Sequence, residues 1–159
     1  PGTITWAFKP IATVAVDDLR ATELTALAAK NWSYYARVNG ANITVEGRTS
    51  SGRFADVTHF IDWLHAEIQA DVYTLLINNP KVPYTTTGIE LVKNTIAGAL
   101  RKGQARGGLA DDTVPTVTVP KITDTDASDR ANRILRDVKF TARLAGALHH
   151  IVIRGTVSV

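Results

Sequence analysis

The 159-residue sequence contains no cysteine and no methionine. Without cysteine there is no disulfide framework, no thiolate metal site and no cysteine nucleophile, and the composition fits a reducing compartment best. The missing methionine extends to position 1, where the chain opens Pro1-Gly2. Either the initiator was removed or the chain is a piece of a longer protein, and the second is the preferred reading. Long apolar runs are also absent: none approaches the ~20 residues of a membrane-spanning helix, and no amino-terminal stretch has the pattern of a signal peptide. Catalytic signatures are missing as well. No Gly-x-Ser-x-Gly elbow, Gly-x-x-x-x-Gly-Lys-Ser/Thr loop or Gly-x-Gly-x-x-Gly turn follows a strand, so the sequence predicts no catalytic residue and no cofactor.

What remains is an ordinary globular composition, 45% hydrophobic and 21% charged. A chain of this length buries about two thirds of its unfolded surface and sustains a core without crosslinks. Its net charge of +3 is unevenly placed. Residues 1–80 carry six Lys/Arg against eight Asp/Glu, and residues 81–159 carry twelve against seven. An acidic half and a basic half favour head-to-tail association of copies, which yields an open polymer when the contact does not close into a ring.

Thr3 to Phe8 alternates, with Ile4, Trp6 and Phe8 on one face, and predicts a strand ended by Pro10. Thr22 to Lys30 is rich in helix formers, with Thr22 as a cap. Tyr34–Val38 and Asn42–Glu46 flank Asn39-Gly40, the pair a tight hairpin turn prefers. Gly47 to Gly52 is a connector. From about Phe54 to Asn78 the residues Val57, Ile61, Leu64, Ile68, Val72 and Leu75, widened by Phe60 and Trp63, form the stripe of a long helix. A second helix over Gly88 to Arg106 places Ile89, Val92, Ile96 and Leu100 on one side and ends at Gly107-Gly108. Val114–Val119 reads as an edge strand, Asp126–Asn132 as a helical turn and Val138–Arg143 as a strand. The final run His150 to Val159 alternates again, which predicts a terminal strand with a free edge, open to pairing with another chain.

His59, Asp62 and His65 recur every third residue on the long helix, and two histidines six apart are poorly spaced for one ion, so no metal site is predicted. His149 and His150 are adjacent on an extended segment and point to opposite faces, which suits a structural role. Arg130, Arg133, Arg136, Lys139 and Arg143 step by three, three, three and four, as a phosphate-binding stripe would. Only Phe140 accompanies them as a stacking platform, so an acidic protein surface is the preferred partner and a nucleic-acid-binding module the alternative.

The order of elements resembles the carboxy-terminal region of contractile-tail sheath proteins, and more specifically a sheath-like phage family long catalogued as a domain of unknown function. The resemblance is carried by Lys30-Asn31, Gly47-Arg48-Thr49 with Gly52, Phe54 and Asp56, Asp62-Trp63-Leu64, Pro83-Tyr84-Thr85 with Gly88, Gly108-Leu109-Ala110-Asp111, Arg130-Ala131-Asn132-Arg133, and Ala145 to Ile153 followed by Gly155. Gly47-Arg48-Thr49 is similar to the Gly-x-Arg-Thr of sheath proteins, one residue shorter. The resemblance implies a structural subunit without enzymatic activity that polymerises around a tail tube. Its partners would be other copies, the tail tube protein and baseplate proteins, in a virion tail assembled in the host cytoplasm, with no membrane association.

The combined expectation is one α+β domain over residues 1–159, a mixed β-sheet backed by two long helices with the terminal strands at or near its edges. Inter-subunit strand pairing is assigned to His150, Ile151, Val152, Ile153, Arg154, Thr156, Val157 and Val159. A charged interface is assigned to Arg130, Arg133, Arg136 and Lys139.

Overall fold

The computed structural model describes residues 1–156, so Val157 and Val159 of the expected pairing strand lie outside it. The fold is α+β, in the order α1 (Ala21–Ala29), β1 (Tyr34–Val38), β2 (Ala41–Val45), α2 (Ala55–Asn78), α3 (Thr86–Ala105), β3 (Thr116–Thr118), α4 (Ala127–Ala131) and β4 (Lys139–Thr141). Where a single mixed sheet was expected, the described strands form two separate antiparallel pairs, β1–β2 and β3–β4. The reason is local: each pair is closed by nearby chain, and no parallel crossover joins them. Contacts divide the chain into two compact units. One comprises Pro1–Ile4 and Asp56–Ala145, the other Thr5–Ala55 and the segment from Gly146 on.

The first unit is built on α2 and α3. Thr85 caps α3, its hydroxyl accepting the Gly88 N–H at 3.4 Å, and Ile89, Ile96 and Leu100 on the stripe that follows are buried. Ile96 and Leu100 meet Phe60 and Leu64 of α2 and Leu109 beyond α3, with Trp63, Val72, Val117 and Val138 packed around them. Gly103 continues the same face, and its missing side chain admits Leu109 and Phe60, whose carbons would lie 3.2 and 3.3 Å from an added Cβ. Gly107, at φ +70°, and Gly108 then end α3 as expected, through bonds from Gly107 N–H to Gln104 O and from Gly108 N–H to Gly103 O at 2.8 and 3.2 Å. The chain returns beside this point, where Ala110 N–H reaches Arg143 O at 2.8 Å and Ala145 N–H reaches Gly108 O at 2.9 Å. Residues 139–145 are thereby tied to residues 108–110 as well as to β3.

In the second unit the hairpin register runs from Tyr34 opposite Val45 to Val38 opposite Ala41, and the turn residues Asn39 and Gly40 sit at φ +48° and +84°. The left-handed pair is what the Asn-Gly sequence predicts. Helix α1 starts slightly before the expected cap, with the Arg20 N–H donating to Glu23 Oε2 at 2.8 Å. The expected opening strand, Thr3 to Phe8, does not form. Phe8 turns left-handed at φ +62°, and the segment is tied to β2 at Thr44, through Phe8 N–H to Thr44 O at 2.8 Å, Thr44 N–H to Lys9 O at 3.0 Å and the Thr44 hydroxyl donating to Trp6 O at 2.7 Å. The expected terminal strand is likewise absent over His150 to Thr156, because a strand needs a partner ladder and no described segment offers one. No helix among the described residues is long and apolar enough to cross a membrane.

Candidate assembly surface

The carboxy-terminal segment leaves the second unit from a built socket. His149 stands edge-on to Phe8 and Phe54, with ring centroids 5.3 and 4.8 Å away and interplanar angles of 81° and 80°. Its Nε2 lies 2.9 Å from Thr5 Oγ1. The Gly-Arg-Thr motif shapes the socket wall. Gly47 is left-handed at φ +65°, and a Cβ there would come within 2.8 Å of Ala7 N. Arg48 places its guanidinium 4.2 Å over the Phe54 ring while donating to Gly52 O at 2.9 Å and Glu46 Oε2 at 3.1 Å. Three aromatic rings and a cation thus fix the point at which the tail departs. His149 is partly buried and His150 exposed.

Past that pin the chain is bare. Every residue from His150 to Thr156 is exposed, with Ile151 at 73%, Val152 at 84% and Ile153 at 87%. No backbone hydrogen bond joins residues 146–156 to other backbone among the described residues. Three β-branched residues in sequence, with their N–H and C=O groups left to water, form a segment whose polar backbone and apolar side chains both gain from a partner sheet.

The first unit carries an apolar groove of about 550 Å³. Ile61, Leu64 and Ile68 of α2 line one wall, and Phe140, Ala142 and Leu144 the other. The last three alternate along residues 139–145, so they share one face of an extended segment.

The expected charged interface is divided. Helix α4 ends at Ala131, so Arg133, Arg136 and Lys139 do not continue a helical stripe with Arg130. Arg136 pairs with Asp129 at 2.8 Å, and Lys139 lies 3.7 Å from Asp137. Arg130 donates to the Thr125 carbonyl and, at 3.1 Å, to its hydroxyl. Arg133 takes a left-handed conformation at φ +59°, and no ion pair engages it among the described residues. Elsewhere, Lys102 bridges Glu67 and Asp71 at 2.7 and 2.8 Å, bonds that raise its pKa, with Asp71 contributing more. Arg143 pairs with Asp112 and holds that carboxyl below its ordinary range. Among the described residues no cluster of three or more His, Asp or Glu is placed to hold a metal.

Sequence reasoning missed the His149 socket. Its members Thr5, Phe8 and Phe54 are scattered along the chain, and no local pattern links them. Lys81 was missed too, although it lines the same groove as Arg130 and Arg133.

Residues 55–114, which span α2, α3 and the chain leading to β3, match the family model described as E217 tail sheath protein gp31-like, C-terminal domain. No curated protein matches the chain.

Proposed function

We propose, from the premise that residues 55–114 are those of a phage tail-sheath C-terminal domain, that the protein is a subunit of a contractile sheath. It polymerises around the tail tube by lending its terminal segment to neighbouring copies. Tail tube and baseplate proteins are its further partners, and the virion tail, assembled in the host cytoplasm, is its place. The observation that carries this reading is the exposed, unpaired segment His150–Thr156 leaving a fixed anchor at His149.

The physics of strand addition suits it. Main-chain hydrogen bonds supply affinity, and alternate side chains supply register. Residues 150–156 extended at ~3.3 Å each reach about 23 Å, the same span as residues 139–145, which carry one wall of the apolar groove. Ile151 and Ile153 then fall on one face, matching the alternation of Phe140, Ala142 and Leu144. Hydrogen-bonded ladders hold neighbours together, while exposed ion pairs, at ~0.2–1 kcal/mol each, break and re-form cheaply. That division of strength permits rearrangement without disassembly.

The nucleic-acid alternative is weakened by the same charges that suggested it. Arg136, Lys139, Lys102 and Arg143 are all engaged by carboxylates. Truncation after His149 tests the proposal. Polymers seen by electron microscopy should disappear while the melting temperature stays, because residues 150–156 are all exposed. Unimpaired polymers would refute the strand role.

A further inference from the structure

Beside α4 in the first unit lies a groove of about 680 Å³ bounded by Pro80–Thr85 on one side and by Arg130 and Arg133 on the other. Lys81, Arg130 and Arg133 converge on it, all exposed, and no carboxylate among the described residues neutralises any of them. The walls are fixed. Tyr84 Oη donates to Ile134 O at 3.0 Å, tying the Pro80–Thr85 side to the chain just past Arg133, and Thr125 holds the Arg130 guanidinium. The loop itself is clamped onto α3, since a Cβ on Gly88 would fall 1.8 Å from Pro83 O.

Arg133 occupies its place at a conformational cost. Helix α4 closes with Arg133 N–H to Arg130 O at 3.2 Å and Ile134 N–H to Asp129 O at 2.8 Å, the paired bonds that put the residue past the cap in the left-handed region. Glycine is the residue such a position favours. An arginine kept there aims a charge where a glycine would give a more stable turn.

The second unit carries the complementary feature. Asp17 and Asp18 are adjacent, exposed and without an ion pair among the described residues. Their loop is held in place: Asp17 N–H donates to Tyr35 O at 3.0 Å, and Tyr35 Oη bridges the Ile11 N–H and carbonyl at 3.1 and 3.2 Å. Two neighbouring carboxylates repel each other, and an external cluster of cations relieves that repulsion.

We infer that the Lys81–Arg130–Arg133 groove receives the Asp17–Asp18 loop of a second copy, giving the sheath lattice a charged, head-to-tail contact separate from strand pairing. The inference rests on the self-assembly proposed above and names the surfaces of its weaker contact. A second copy fits better than a nucleic-acid strand. Three cations in one concavity do not track a phosphate backbone, and Tyr84 is partly buried with its hydroxyl engaged, so no stacking platform stands beside them.

The experiment compares R130E/R133E, D17K/D18K and an equimolar mixture of the two with the parent protein, reading assembly by light scattering against concentration and salt. Each double reversal alone should raise the concentration needed for assembly by about tenfold or more at low salt, because like charges then face each other. The mixture, in which reversed groove meets reversed loop, should regain assembly to within about threefold of the parent. Arg133→Gly separates assembly from folding: it should raise the melting temperature while weakening assembly. Reversals that leave assembly and its salt dependence unchanged overturn the inference, and strand pairing stands or falls separately on the truncation after His149. Binding of a fluorescent single-stranded oligonucleotide that R130E/R133E abolishes and D17K/D18K does not touch also overturns it.

Discussion

Replacing both Ile151 and Ile153 by aspartate separates assembly from folding more sharply than any other change in the chain. Both side chains are largely exposed in the isolated subunit, at 73% and 87%. Exposed substitutions of this kind change stability by no more than about 0.5 kcal/mol, so the melting temperature should hold within one or two degrees. In the proposed polymer the same two residues would face a neighbour's apolar groove. Fully burying an isoleucine is worth about 1.5–3 kcal/mol, so two losses amount to about 3–6 kcal/mol per contact. The charge on each aspartate adds a desolvation penalty, which makes that a lower bound. At 1.4 kcal/mol per factor of ten, each contact weakens by about two to four orders of magnitude. Sedimentation velocity over a concentration series, with electron microscopy of the pellets, reads the effect directly. A variant that melts early would mean that the two isoleucines belong to the subunit's own core. A variant that melts normally and still polymerises at the parental concentration would mean that the tail is not the linking element. Either result refutes the reasoning.

Other substitutions probe the frame that presents the tail. Leu100 is fully buried, so Leu100→Ala should cost about 2–5 kcal/mol in chemical denaturation, the range for emptied core sites. Two glycines should respond in opposite directions. A Cβ on Gly108 would stand 2.1 Å from Phe60, so Gly108→Ala should destabilise by about 1–3 kcal/mol or more, whereas Gly98 in α3 has open space around it, and Gly98→Ala should add about 0.5–1 kcal/mol. Lys102, with its pKa raised by Asp71 and then Glu67, contributes stability that is complete below the ordinary lysine pKa and is lost as pH rises through the raised one. Because its side chain is half exposed, the contribution should stay below about 1 kcal/mol, and Lys102→Met should flatten the alkaline limb of a stability–pH profile by that amount.

Features set by neighbours in sequence were legible in the chain, and features set by distant partners were not. Asn39-Gly40 dictates its own turn, and Gly107-Gly108 its own helix end, so both landed where composition placed them. The long stripe of α2 announced a helix but not its buried face. Phe60 and Leu64 are buried while Ile61, also on the stripe, is 45% exposed, because the packing of α3, Leu109 and the segments beyond it decides which side of α2 is covered. The steps of three from Arg130 looked like one stripe, yet the helix stops at Ala131 and Arg133 turns left-handed, which no arginine advertises. Alternation over 150–156 predicted a strand, and the described residues offer it no ladder. Under the proposed strand pairing, the pattern records a preference that a partner in the polymer would fulfil. His149 shows the converse: one of an adjacent histidine pair with no periodic context, it is met by Thr5, Phe8 and Phe54 from far away in sequence.

Amide hydrogen exchange over residues 150–156, measured on the free subunit and on assembled polymer, bears most directly on the claim that this protein works by lending its backbone to copies of itself. Exchange should be near the unprotected rate in the free subunit, where these amides meet water, and slowed by orders of magnitude in the polymer, on alternate residues of a newly paired strand. Equally fast exchange in both states would contradict it.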